Sequence, residues 1–442
     1  MADVAISELG LVGCGGAGFP THVKLAATNV EHLIINGAEC EPLLHKDKEL
    51  LEHFTKEIFA GILKAMSLTG AKQAHLAVKK KYAVLVAHLD KSIPDRRIKM
   101  LALGDFYPTG DEYELVYEAS GRLIPFGGIP LHVGCVVINA ETLLNLGRGT
   151  PVITKFLTIN GAVPKPLTVE VPIGITIRDA LALAGLTMAD GPTKTGGLTI
   201  IDGGPMMGRI VGSLDEVVTK TCGGLLALPN DHPLIRKMTR PAKANRFIAR
   251  SNCDQCTDCT ELCPRRLLGY PIAPHKAMRT AQLAQFEGNN FSIDAIFCSE
   301  CGLCSLFACP EDLPPREICK MAKTHHLAAG IKQNSWQGGP VVHPMRSARR
   351  VSIERLVKRL GLLDYDKDAP LTKVECRPAR VKLPLRMHIG GLSVPVVKSG
   401  DRVVAGQKIA SIPEKQLGAV LHASISGRVE AVGPDAIIIA GE

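Results

Sequence analysis

Apolar residues fall in short runs through the first third of the chain, separated by stretches in which they recur every three or four positions. His32–Asn36, His75–Val78, Lys99–Leu103 and Cys135–Asn139 read as strands and the intervening periodicity as helices, which is α/β patterning. From about Thr154 the pattern tightens: Phe156–Ile159 and Leu167–Val171 read as strands, Ile177–Ala184 as a helix and Leu198–Ile201 as a third strand. Strand, strand, helix, strand suggests a small β-grasp module. Lys276–Phe286 has helical spacing inside a cysteine-rich stretch, and Gln333–Lys373 mixes Gly, Pro and Arg around one helical run, Ile353–Leu362, so it reads as a linker.

From about Pro384 short strands alternate with glycine turns in two similar halves, Val397–Ala410 and Ala423–Gly433, a pattern that resembles a biotinyl/lipoyl-type barrel-sandwich hybrid. A carrier lysine belongs in the hairpin between the halves, flanked as Met-Lys-Met or Asp-Lys-Ala. Lys415 lies there without those neighbours, so the unit is expected to be structural or to dock a partner.

The length of 442 residues exceeds one ordinary core, so several domains are expected. Aromatics make up only 4% of the chain, which leaves Val, Ile, Leu and Ala to fill the cores. No apolar run reaches the roughly 18 residues that span a bilayer, and the start lacks a basic segment followed by an apolar one; a soluble, cytoplasmic chain is expected. The basic runs at Lys79, Lys80 and Lys81 and at Arg346, Arg349 and Arg350 read as a solvated face or linker rather than a nucleic-acid footprint.

Fourteen cysteines without a secretory signal argue for reduced thiols, and eight of them form two tight clusters. Cys253, Cys256, Cys259 and Cys263, followed by Pro264, have the bacterial ferredoxin spacing C-x₂-C-x₂-C-x₃-C-P. Cys298, Cys301, Cys304 and Cys309, followed by Pro310, repeat it with one extra residue before the last cysteine. Zinc sites usually present cysteine pairs separated by a longer loop, so two [4Fe–4S] clusters are expected instead. By the crossed ligation of two-cluster ferredoxins, one cluster takes Cys253, Cys256, Cys259 and Cys309, and the other Cys298, Cys301, Cys304 and Cys263. The remaining cysteines, Cys14, Cys40, Cys135, Cys222, Cys319 and Cys376, read as small core or loop residues.

Clusters carry single electrons and must be loaded. Gly13-Cys-Gly-Gly-Ala-Gly-Phe-Pro-Thr21 satisfies G-x-G-x-x-G, with Glu39 at the end of a predicted strand. On its own this loop fits either a tight turn or a site where bare backbone approaches a planar ring or a phosphate. Gly13–Lys24, however, is similar to the GRGGAGFPTxxK loop of the NADH-oxidising flavin subunit of respiratory complex I. Asn36–Pro42 resembles that family's NADExEP, Tyr107–Glu112 its YxCGEE and Asn139–Leu143 its NVETL, in the same order; Cys14 stands where the family has Arg and Ala38 where it has Asp. Gly203–Gly208 and Thr219–Leu228 extend the likeness to the C subunits of Rnf electron-transport complexes and the cobalamin reductases of propanediol-utilisation microcompartments. The terminal position of the barrel-sandwich unit favours the cobalamin-reductase branch.

The resemblance implies an α/β multi-domain chain: a Rossmann-like FMN/NADH domain over 1–150, a β-grasp (SLBB-like) module over 151–240, a helical two-[4Fe–4S] ferredoxin domain over 245–330, a linker over 331–380 and an all-β barrel-sandwich hybrid over 381–442. It implies that Gly13, Lys24, Asn36, Glu39, Tyr107, Gly110, Asn139 and Thr142 line FMN, that Gly15, Gly16, Phe19, Glu41 and Glu112 face the nicotinamide nucleotide, and that Gly18 belongs to the same cofactor-binding loop. No side chain is expected to act as a catalyst, because hydride transfer occurs on the flavin. The implied activity is electron transfer from NADH through FMN and two [4Fe–4S] clusters to a partner, a corrinoid adenosyltransferase in a bacterial microcompartment. No Asp-x-His-x-x-Gly signature is present, so the corrin is expected on the partner. Alternatives are an electron-input subunit of an Rnf-type membrane complex, a flavin-free ferredoxin-like wire, and an electron supplier to a radical-enzyme activase.

Overall fold

The computed structural model describes residues 5–187, 197–241, 243–245, 248, 253–283 and 292–442. The first unit contains strands β1 (His32–Asn36), β2 (Gln73–Lys79), β3 (Ile98–Leu103), the two-residue β4 (Phe106–Tyr107) and β5 (Cys135–Asn139). Its helices are α1 (Thr21–Leu25), α2 (Lys46–His53), α3 (Thr55–Thr69), α4 (Ala83–Lys91), α5 (Glu112–Ser120) and α6 (Ala140–Arg148). The sheet is fully parallel in the order β3-β2-β1-β5, a Rossmann-like arrangement. Continuous apolar runs such as Leu33-Ile34-Ile35 suit it, because helices cover both faces of a parallel sheet. Helices α3 and α6 cross at Gly61 and Gly147, where a Cβ would overlap the backbone of Leu143 and Glu57.

The second unit is a five-stranded β-grasp sheet: β6 (Thr154–Gly161), β7 (Leu167–Pro172), β8 (Leu198–Asp202), β9 (Arg209–Ile210) and β10 (Gly224–Pro229), in the order β7-β6-β10-β8-β9. Only β6 and β10 run parallel. Helix α7 (Ile177–Leu183) crosses it, with the Thr176 side chain accepting from Asp179 N.

The cysteine-rich unit is built of short helices, Asp258–Glu261, Pro264–Leu267, Pro274–Leu283 and Pro315–Ala328. The expected helix at Lys276–Phe286 begins within Pro274–Leu283, and its end at Phe286 lies outside the described residues.

Residues 331–380 are no free linker. Val351–Ser352 pairs with β4, Thr168 bridges to Leu371, and the helix Ile353–Arg359 packs into a core shared with Tyr107 and Met206. Of the basic runs, Lys80 and Lys81 are exposed as a solvated face requires, but Lys79, Arg346, Arg349 and Arg350 are not. Arg346 is 7% exposed and pairs with Glu114 and Glu118, Arg350 pairs with Glu118 and Arg349 with Glu261, while Lys79 is buried against Asp105.

The last unit has a four-stranded and a three-stranded sheet, as a barrel-sandwich hybrid requires. Its Leu383, Ile409, Leu421 and Ile437 join Leu9, Leu33 and Leu143 in one continuous core, so the barrel is seated on the first unit. Lys408 pairs with Glu8 at 2.8 Å, and Lys220 donates to Gly10 O (2.6 Å) and Val420 O (3.1 Å) where three units meet. Lys415 sits at positive φ in an exposed turn of this unit.

Candidate functional site

The glycine loop closes on itself: Gly13 N donates to Phe19 O and Gly18 N to Gly13 O, at 2.9 and 3.1 Å. Gly15, Gly16 and Ala17 are exposed, and a Cβ on Gly16 would meet nothing within 4 Å. Beneath them Asn139 lies 3.6 Å from the Cβ position of Gly15. The loop therefore offers bare backbone over a polar floor, which is what a planar ring needs in order to stack. Cys14, in the Arg position of the family loop, turns its thiol inward to Val12 O, and its N–H bonds Thr142 Oγ1 at 3.0 Å. Gly18 faces elsewhere: its Cβ position meets Thr221 of the β-grasp unit and His388 of the barrel. Phe19 is half-buried at the end of the loop.

The other expected residues converge on this floor. Asn36 Nδ2 donates to Gly110 O at 3.0 Å, and Gly110 has no space for a Cβ, which would stand 2.9 Å from Ala38 O. Asn139 caps α6, accepting from Glu141 N, and donates to Asp47 at 2.8 Å. Lys24 reaches Val137 O at 2.9 Å and Glu112 at 3.4 Å, both Lys24 and Glu112 remaining partly open to solvent.

Behind the floor lies a buried charge network that the sequence does not announce. Glu141, fully buried, pairs with Lys46 at 2.7 Å and with Lys155, and accepts from Phe156 N. Burial opposes the Lys46 charge, but Glu141 and Asp47 outweigh it and hold the ammonium on. Glu39 is pushed up by burial and then by Asp47. The sequence does not set Lys46 and Asp47 apart, because their helix reads Lys-Asp-Lys-Glu-Leu-Leu-Glu-His and the charged pair is one of several polar positions in it.

Two residues are placed differently from expectation. Glu41, expected to face the nicotinamide, accepts from Met206 N at 2.8 Å and fills the space that a Cβ on Gly204 would need. Its second oxygen is buried with no partner, and burial pushes the carboxyl up to about 8. Tyr107, expected beside FMN, is 2% exposed, and its hydroxyl donates to Cys301 O at 2.7 Å. Both serve a joint between units. Arg316 of the cysteine-rich unit donates to Met206 O at 2.8 Å, and Arg265 clamps Asp111 at 2.8 and 3.1 Å while stacking 3.6 Å over Tyr113.

The eight cysteines form two cages. Cys253, Cys256, Cys259 and Cys309 line one cavity. Cys263, Cys298, Cys301 and Cys304 form the second group, in which burial and then the neighbouring thiols push Cys304 far up. The extra residue before Cys309 is absorbed by a π-turn, Cys304–Ala308, with Cys309 N donating to Cys304 O at 3.1 Å. The π-turn takes up the inserted residue locally, and Cys309 lines the first cage with Cys253, Cys256 and Cys259. Among the described residues no three His, Cys, Asp or Glu converge as a single metal ion requires. Thiols spaced around a cavity suit a cuboidal cluster instead. Gln255 Nε2 donates to Cys253 Sγ at 3.1 Å, Glu300 N to Cys298 Sγ at 3.3 Å and Leu313 N to Cys309 Sγ at 3.4 Å, which suits thiolate charge. The Cys319 thiol and Glu300 N–H hold Cys298 down to about 7 against burial.

Comparison with known proteins agrees with this division. Residues 6–148 match the Nuo51 FMN-binding domain, 156–210 the SLBB domain, 252–314 a 4Fe-4S dicluster domain and 364–441 the RnfC barrel sandwich hybrid domain. The cobalamin reductase PduS of Salmonella typhimurium is 42% identical over 98% of this chain and 95% of its own length. The chain belongs to the cobalamin reductase PduS family. The PduS of Citrobacter freundii is 40% identical over the same shares. A component of the proton-translocating ferredoxin:NAD(+) oxidoreductase complex of Clostridium ljungdahlii is 33% identical over 59% of this chain and 55% of its own length. As a member of the PduS family the chain is an oxidoreductase. Its domains give it FMN and two [4Fe–4S] clusters as cofactors, and NADH fits the complex I-type domain as substrate. Among the described residues no helix is long and apolar enough to cross a membrane.

Proposed function

We propose that this protein takes electrons from NADH at the glycine-loop site and passes them through the two cysteine cages to a corrinoid bound by a partner adenosyltransferase, inside a bacterial microcompartment. The NADH-linked part follows from the domains; the acceptor and the compartment rest on the relatives named cobalamin reductase. Bound FMN supplies conversion of a two-electron donor into single electrons, and the clusters carry them. The chain's own residues supply position. Gly15–Ala17 leave backbone bare for stacking, Asn36 and Asn139 offer amides to a flavin's polar edge, and Lys24 offers a cation to a phosphate. The eight cysteines would hold the two clusters in the crossed pattern. The observation that carries the reading is the joint: Tyr107, from a flavin-site motif, is hydrogen-bonded to the backbone of Cys301, so the second cage abuts the flavin domain.

The test is anaerobic. With iron, sulfide and FMN reconstituted, NADH should bleach the flavin, and a reduced-cluster EPR signal should follow. If dithionite reduces the clusters while NADH reduces nothing, the reading fails and the protein is a wire or adaptor.

A further inference from the structure

The two cages are not equivalent in their surroundings. Cys301 lies in a core with Leu43, Tyr107 and Met206, and Cys263 in a core against Tyr113 and Tyr117, so the second cage is walled by the flavin and β-grasp units. None of its four cysteines is exposed. The first cage shares its core with residues of the cysteine-rich unit, and its Cys256 is exposed. Asp254 and Glu311 stand exposed on the rim of its cavity, and exposed Asp258 follows two residues after Cys256; among the described residues the lining contains no Lys or Arg, while Arg359 donates to Cys309 O at 3.2 Å. None of these three acids has an ion pair to a described residue. An acidic rim is unexpected on a chain with a formal charge of +9.

Resting on the reading above, we propose that electrons leave through the first cage at the Cys256 edge, and that this face docks a redox partner whose own docking surface is basic. Opposite charges there steer encounter and set orientation, and their effect is screened by salt. The alternative exit, through the second cage, has no exposed cysteine from which to reach a partner. The step is outer-sphere: one electron passes from the reduced protein to the acceptor, no bond forms or breaks and no proton moves.

The experiment uses the reconstituted full chain, reduced with dithionite and desalted anaerobically, so that it does not depend on NADH. Oxidised mitochondrial cytochrome c, a strongly basic haem protein, is the probe, and its ferric haem is the oxidant. Plastocyanin, an acidic copper protein, is the comparison. Stopped-flow mixing should show cytochrome c reduced about tenfold faster than plastocyanin at low salt, the difference vanishing as salt rises. The double variant D254K/E311K should lose most of that advantage and reverse the salt dependence, with unchanged cluster EPR and unchanged NADH bleaching of the flavin. E375K, a charge change outside the cage, should leave the rates alone. Equal rates for wild type and D254K/E311K, or equal losses in E375K, would overturn the proposal. Failure of NADH to bleach the flavin would sink only the preceding reading.

Discussion

Glu41 shows how one side chain can carry a pH dependence. Its carboxyl is pushed up to about 8 by burial, against the Met206 N–H, with Glu39 adding to the rise and Arg316 opposing it. An unfolded chain releases that proton near the ordinary glutamate value of roughly 4.3. Between those values the folded protein holds a proton that the unfolded chain has lost, so the Glu41 contribution is fully present at low pH and disappears as pH rises toward 8. The Tm of the wild type should therefore fall relative to that of Glu41→Gln between pH 5 and 8 and run parallel above it. A constant difference across that range would show that Glu41 is ionised in the fold. Glu141 gives a prediction of the opposite kind. Glu141→Gln leaves Lys46 and Lys155 buried beside a neutral amide, and loss of one member of a buried ion-paired set costs about 3–5 kcal/mol. Urea unfolding monitored in the first unit should show a loss of that size.

At the scale of elements, the π-turn Cys304–Ala308 reconciles a one-residue insertion with the ligand pattern. If the ligation is crossed, Cys309→Ala and Cys253→Ala should abolish the same cluster, and Cys263→Ala and Cys298→Ala the other. Iron content should fall by about half in each variant, with one of two EPR components lost. Pairing of Cys309 with Cys298 in that assay would mean uncrossed cages. The helix ends near the floor follow ordinary rules: Asn139 caps α6 and Asp111 caps α5, accepting from the first N–H groups of each helix. Asp111 also receives Arg265, so a local cap doubles as a joint to the cysteine-rich unit.

For the whole molecule, Lys220 is the notable contact. It is 2% exposed, its acceptors are two carbonyls from units far apart in sequence, and burial pushes it down to about 8. Lys220→Ala leaves Gly10 O and Val420 O without this donor, each unsatisfied carbonyl costing about 1–3 kcal/mol. Limited proteolysis should cut that variant faster near residues 366–380, as the barrel loosens from the first unit, while the clusters remain intact. An unchanged cleavage rate would show that the shared apolar core seats the barrel alone.

Cysteine spacing, the glycine loop and the four flavin motifs were legible in the chain because each is a local pattern: the ligand or turn dictates residue types a few positions apart. Strands β1 and β5 were legible too, with the same bounds, because a parallel strand buried on both faces writes a continuous apolar run. The orientation of Glu41 toward Met206, the bond from Tyr107 to Cys301, the Lys46–Glu141–Lys155 network and the packing of residues 331–380 were not. Apart from Glu141–Lys155, 14 positions apart, each joins residues roughly a hundred or more positions apart, or depends on which side of a motif faces a neighbouring unit. The chain thus determined the cofactor chemistry by itself. Only the packing of the units decided which cage abuts the flavin domain and which has a cysteine open to solvent, because burial and contact across units are properties of the assembled fold.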